Sequence, residues 1–111
     1  MLRRIDTSPT QYAPIELPGL TIDPSARRVL VDGEEASLTQ REFELLLFMA
    51  RHPGQVFSRE QLMDAVWQYA FYSDTSTVTV HIRRLRAKIE RDPAQPEHLQ
   101  TVWGVGYRFM A

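Results

Sequence analysis

Hydrophobic and polar positions follow two different periods along this chain, and the change of period marks the elements. From Ile15 to Leu38 the repeat is short. Ile15-Glu16-Leu17 is followed by Pro18-Gly19, then Leu20-Thr21-Ile22, a turn at Asp23-Pro24-Ser25, and Arg28 to Val31. Asp32-Gly33 is a strong hairpin signal, and Glu35 to Leu38 is the return strand. The alternation predicts a small antiparallel meander with one buried face. From Thr39 to His52 the apolar residues fall at helical spacing: Phe43, Leu46, Leu47 and Ala50, widened by Phe48 and Met49. Thr39-Gln40-Arg41-Glu42 is a capping box, and Pro53-Gly54 ends this helix. Beyond the extended link Val56-Phe57, a second box, Ser58-Arg59-Glu60-Gln61, opens a helix to about Trp67, with Leu62, Ala65 and Val66 inward.

The third helical stretch, within Ser73 to Asp92, organises the rest. At about 100° per residue, Val78, Ile82, Leu85 and Ile89 fall on one narrow stripe. The opposite side carries Ser76, Val80, Arg83, Arg84 and Ala87. Thr79 and Arg86 flank it on one edge, and Thr77, His81 and Lys88 on the other. Ser73 or Thr75 caps the start, and Asp92-Pro93 stops the helix, because proline cannot continue it. Long cations among small neighbours can reach into a groove without the helix body being held away, the profile of a DNA-recognition helix. A solvated surface would also be basic. It would have no use for Val80 on its charged side, however, whereas a thymine methyl would. Two helices joined by a short connection, the second of them basic, follow helix-turn-helix logic.

After a polar loop to His98, Leu99 to Trp103 alternates as a strand, Gly104-Val105-Gly106 turns, and Tyr107 to Met110 returns. A hairpin directly after such a helix is placed to act as a wing on the neighbouring minor groove or backbone. Gln68 to Tyr72, between the second and third helices, is rich in aromatics that could simply cover the gap between them. Met1 to Pro14 is polar and aperiodic, with Pro9 and Pro14, and reads as an interdomain linker or flexible arm ahead of a domain at 15–111. A leader of this kind implies a preceding domain.

Composition narrows the classes. The 111 residues suffice for one domain with a modest core, and 43% hydrophobic with 24% charged residues is ordinary for a soluble globular protein. The net charge of -1 announces no polyanionic partner, but its distribution is uneven. Arg83 to Arg91 holds five bases and one acid, and Glu34 to Glu44 four acids and one base, the pattern of a one-faced binder. The absence of cysteine excludes a disulfide scaffold, thiolate zinc sites and a cysteine nucleophile. The longest apolar run, Leu45 to Ala50, is too short to span a bilayer, and MLRRIDTSPT is no secretory signal, so a cytoplasmic address follows. An enzyme is the weakest option. His52, His81 and His98 have no metal spacing, Gly104-Val105-Gly106 is too short for a phosphate loop, and no cofactor is implied. A protein-binding module remains open, since fold does not fix function, but it would have no reason to keep the basic face.

TVTVHIRRLRAKIE at 77–90 with QTVWGVGYRF at 100–109 strongly resembles the winged-helix effector domain of OmpR/PhoB-type response regulators, and LTQREFELLLFMARHPGQVFSREQLMDAVW at 38–67 is similar to its first two helices. The resemblance covers Ile15 to Ala111. It implies an α+β winged helix-turn-helix: an N-terminal four-stranded antiparallel sheet, three helices and a C-terminal β-hairpin wing. It also implies a receiver domain missing from this chain. The expected function is sequence-specific double-stranded DNA binding, with the helix at about 74–91 in the major groove and the wing at about 99–110 beside it. Tandem dimers on direct-repeat half-sites are implied, with the isolated chain a monomer. RNA polymerase is a possible partner of the loop Gln68, Tyr69, Ala70, Phe71 and Tyr72.

Position by position, the resemblance puts Val80 and Arg84 on bases. It puts Thr77, His81, Arg83 and Arg86 on backbone or groove flanks, the Trp67 ring nitrogen on a phosphate, and Thr101 and Tyr107 on the wing near the backbone. Three positions depart from the family pattern. Ser76 stands where arginine is common, Thr79 where aspartate is frequent, and Trp103 where an arginine often enters the minor groove. These departures bear on which sequence is read.

Overall fold

The computed structural model describes residues 13–67 and 75–111. The leader to residue 12, the aromatic loop Gln68 to Tyr72 and the candidate cap Ser73 lie outside them. Two compact units are present, one ending at Ala36 and one beginning at Ser37.

The first unit is a four-stranded antiparallel sheet in chain order, β1 (Ile15–Leu17), β2 (Leu20–Asp23), β3 (Arg28–Val31) and β4 (Glu34–Ala36). Ile22 lies opposite Ile15 and Val29, Leu20 opposite Leu17 and Val31, and Val29 opposite Ala36. Side chains directly opposite share a face, so these residues form the single apolar face expected. Leu20, Ile22 and Val29 on it are buried. Asp32 and Gly33 both take the left-handed conformation, at φ 51° and 85°, as a two-residue type I′ hairpin turn requires.

The second unit contains α1 (Gln40–Ala50), α2 (Arg59–Leu62) running into a π-helical turn (Met63–Trp67), α3 (Ser76–Ile89), and a hairpin of β5 (Leu99–Val102) and β6 (Gly106–Phe109). Both capping boxes form as read, Thr39 with Glu42 and Ser58 with Gln61. In α1 the expected stripe is buried, and Leu45 and Glu42 join it. Glu42 is only 1% exposed. Its carboxylate accepts from the Thr39 amide at 3.0 Å and from Lys88 Nζ at 2.7 Å, so the buried charge is doubly satisfied.

Three expectations are corrected. Ala65 is exposed rather than inward, while Met63, Val66 and Trp67 are buried. The π turn is the cause: its wider repeat rephases the side chains, and the 3.6-residue extrapolation fails beyond Leu62. Thr75 is the N-cap of α3 but makes no side-chain capping bond, and its backbone is itself helical. The third correction concerns the end of α3. The helix stops at Ile89, short of Asp92-Pro93, because Glu90 is extended. The buried Glu90 carboxylate accepts from the amides of Glu97, His98 and Leu99, at 2.8 to 3.3 Å, and folds the connecting loop over the helix end.

The hairpin has a third partner that the sequence reading left as a link. Phe57 exchanges two backbone hydrogen bonds of 2.9 Å with Tyr107. Gly106 passes so close that a Cβ there would sit 1.9 Å from the Phe57 carbonyl oxygen. Only glycine permits this approach.

Candidate nucleic-acid interface

The faces of α3 separate cleanly. Val78, Ile82, Leu85 and Ile89 are buried. Ser76, Val80, Arg83, Arg84 and Ala87 are exposed, Val80 at 37%. Among the described residues neither Arg83 nor Arg84 has a carboxylate within ion-pair distance. A branched hydrophobe and two guanidiniums with no ion-pair partner among the described residues thus stand together on one side of a helix whose other side is anchored.

The flanking residues connect α3 to its surroundings. Arg86 donates Nε to the Leu99 carbonyl at 2.9 Å and Nη2 to Thr101 Oγ1 at 2.7 Å, and its guanidinium lies 5.8 Å from the Tyr107 ring centre. Burial draws its pKa down, partly offset by Tyr107 and Glu90. It stays charged, as arginine does in proteins. The sequence reading set Arg86 among the backbone-contacting or groove-flanking positions; in the structure its side chain braces α3 against the wing. Thr79 Oγ1 lies 3.3 Å from the Tyr107 hydroxyl and accepts a long bond from Arg59 Nη1, at 3.5 Å. Thr79 and Tyr107 therefore join helix to wing. Lys88, one of the counted bases, is neutralised by Glu42.

Trp67 is 9% exposed and meets the His81 ring edge-on, with centres 4.9 Å apart. His81 Nδ1 lies 2.9 Å from the Thr77 carbonyl oxygen, which can only accept, so that nitrogen carries the proton. Thr77 and Thr101 are half-buried. Trp103 sits in the turn between β5 and β6, 88% exposed, beside Val105 at 57%. Gly104 is left-handed at φ 80°, and the Val105 amide closes the turn onto the Val102 carbonyl at 2.9 Å. The structure thus gathers Thr79, Arg86, Thr101 and Tyr107 into one seam. It leaves Val80, Arg83 and Arg84 on the open face, and sets Trp103 at the tip beside Val105. Two contributors escaped the sequence reading. Arg59 looked like a capping-box filler, although N1 of a capped helix points outward. Glu90 counts in the sequence only as the one acid of the basic stretch, although an acid directly after a helix end can fold back onto following amides.

An anchored helix with an open cationic face, a preceding capped helix and a braced hairpin define a winged helix-turn-helix domain. The C-terminal family of transcriptional regulatory proteins matches residues 33–109. SrrA, a transcriptional regulatory protein of Staphylococcus aureus, is 51% identical over 96 residues, which are 86% of this chain and 40% of that protein. This chain therefore spans well under half the length of that relative. Solved structures are similar as well, two of them as follows. The Thermotoga maritima response regulator DrrB, an OmpR/PhoB homologue, has a TM-score of 0.83 at 36% identity, over 88% of this chain and 44% of that one. The Klebsiella pneumoniae RstA DNA-binding domain, solved in complex with the RstA box, has a TM-score of 0.77 at 33% identity, over 87% and 96%. The chain belongs to this family, as an effector domain of the OmpR/PhoB type.

Proposed function

We propose that this domain binds double-stranded DNA sequence-specifically, as the output domain of a two-component response regulator that controls transcription. The carrying observation is the face of α3 that exposes Val80, Arg83 and Arg84 opposite buried Val78, Ile82, Leu85 and Ile89. That face suits the major groove. The relation to the RstA domain, whose structure includes its DNA box, supports the same partner here. In this reading Arg84 reads guanine with its two-pronged fork and Val80 packs on a thymine methyl. Arg83 meets phosphate and sets register. Ser76, Thr77 and Thr79 line the entry of the helix. His81 reaches a phosphate through Nε2 only as imidazolium, since Nδ1 is already donating to Thr77. The indole nitrogen of Trp67 gives a further phosphate contact. Thr101, Trp103 and Tyr107 present the wing, and Arg86 contributes mainly by holding it.

The chain acts in the cytoplasm, without catalysis, and a receiver domain pairs two copies on direct-repeat half-sites. Pairing raises effective concentration, so the isolated chain is a weakly binding monomer. The loop Gln68 to Tyr72 is the candidate contact for RNA polymerase.

Selection of bound duplexes from random-sequence DNA tests the reading and yields the site. On the selected duplex, Arg84→Ala is expected to lose preference among sites, by roughly 1–3 kcal/mol at one base pair, while retaining non-specific binding. Unchanged preference removes Arg84 from the reading set.

A further inference from the structure

We propose that Trp103 is an apolar wedge that enters the minor groove beside the site read by α3 and partly unstacks a flexible base step; this rests on the DNA-binding reading above. The indole is 88% exposed, Val105 next to it is 57% exposed, and among the described residues no aromatic ring stacks on Trp103. A large apolar tip held in water needs a partner to bury it. Here the tip is held firmly. Gly104 takes the left-handed turn position, and the Val105 amide closes the turn. Behind it, Phe57 pairs with Tyr107 past a glycine that leaves no room to shift. Arg86 ties β5 to α3 at Leu99 and Thr101. The wedge is therefore preorganised, and little ordering remains to oppose its insertion.

The surroundings favour nucleic acid over a protein groove. Trp103 forms part of two shallow grooves, one with Arg59 and Glu60 in its wall and the other with Arg86. An apolar plane at the end of a braced hairpin, with the Arg59 cation near it, suits a minor groove, whose rims are phosphate and whose interior is sugar and base edge. The tip is also continuous with α3 through the Thr79–Tyr107 and Arg86–Thr101 contacts. An indole carries no cation to read groove width, but apolar side chains can insert between base pairs and kink the duplex. Pyrimidine–purine steps yield most easily, so Trp103 would confer preference for such a step flanking the half-site, where α3 touches nothing.

The test uses the 111-residue chain, a single selected half-site flanked by either a TA step or an A-tract, and 2-aminopurine at the flanking step. The parent is expected to prefer the TA flank by about fivefold and to brighten the probe. Trp103→Ala should bind the TA duplex about tenfold more weakly, the scale of one base–aromatic stack, with no flank preference and a dark probe. Its salt slope should match the parent's, because no phosphate contact is lost. Trp103→Phe should keep most of the affinity and the bright probe. Equal binding by parent and Trp103→Ala, or a dark probe with the parent, overturns the wedge alone. Loss confined to duplexes with two half-sites overturns it in favour of contact between copies. Failure of the parent to bind any selected duplex overturns the DNA-binding reading and the wedge together.

Discussion

Two arginines two positions apart show how little residue type alone decides. Arg84 is exposed on the open face of α3. Arg86 turns back, and two of its donors bond to β5. Exposed substitutions away from special contacts usually change stability by less than about 0.5 kcal/mol, which is the expectation for Arg84→Ala. Arg86→Ala strips a charged donor from a carbonyl and a hydroxyl, for a cost of about 2–3 kcal/mol. Urea denaturation of both variants separates them. If Arg86→Ala is as stable as Arg84→Ala, the brace is not structural, and Arg86 returns to the phosphate contacts. The sequence made the two look like partners because their separation on the helix was visible. Leu99 and Thr101, 13 and 15 residues beyond Arg86, were not visible as its acceptors.

At the scale of elements, legibility followed from how local the determinant is. Both capping boxes, the Asp32-Gly33 turn and the buried stripe of α3 depend on neighbours within one or two turns, and all were readable. The phase of the second helix was lost at the π turn, which exposes Ala65. The end of α3 was misplaced because Glu90, not Pro93, sets it through amides seven to nine residues on. Most of the candidate face was legible, while the seam joining it to the wing was not. The clasp between α1 and α3 makes a prediction at this scale. Burial works to raise the Glu42 pKa, but Lys88 and the Thr39 amide outweigh it and hold the carboxyl below its ordinary value of 4.5. A carboxyl with a depressed folded pKa stabilises fully above its unfolded pKa, and that contribution disappears as pH falls through the lower folded value. Parent stability should therefore fall more steeply below about pH 4.5 than that of Glu42→Gln, which at pH 7 should be weaker by about 2 kcal/mol, less than for a fully buried pair because Lys88 is part-exposed. Urea midpoints at pH 7 and pH 3 check it; parallel declines in the two proteins would mean the clasp does not titrate with folding.

For the whole molecule, the net charge of -1 is the quantity to argue from. A chain without excess positive charge gains nothing from long-range attraction to a polyanion, so its non-specific binding rests on a few local cations. Not every base near the open face is available. Lys88 is paired with Glu42, and Arg86 is bonded to the wing. Arg83 and Arg84 remain on α3, with Arg59 beside the wing. If Arg84 is on a base, phosphate neutralisation comes from Arg83, Arg59 and one or two weaker donors. Each neutralised phosphate adds about -0.9 to the slope of log affinity against log salt, so a single copy on a half-site should give roughly -2 to -4. Arg83→Ala should flatten that slope by about one unit and weaken binding evenly across sequences. Anisotropy titrations between about 50 and 200 mM salt measure both, the range over which counterion release changes affinity most usefully. A slope near that of a protein with ten phosphate contacts would mean that cations outside the α3 face carry the binding. An Arg83→Ala slope equal to the parent's would take Arg83 off the backbone. Either result would relocate the interface, because among the described residues the open face of α3 holds too few unpaired cations to produce it.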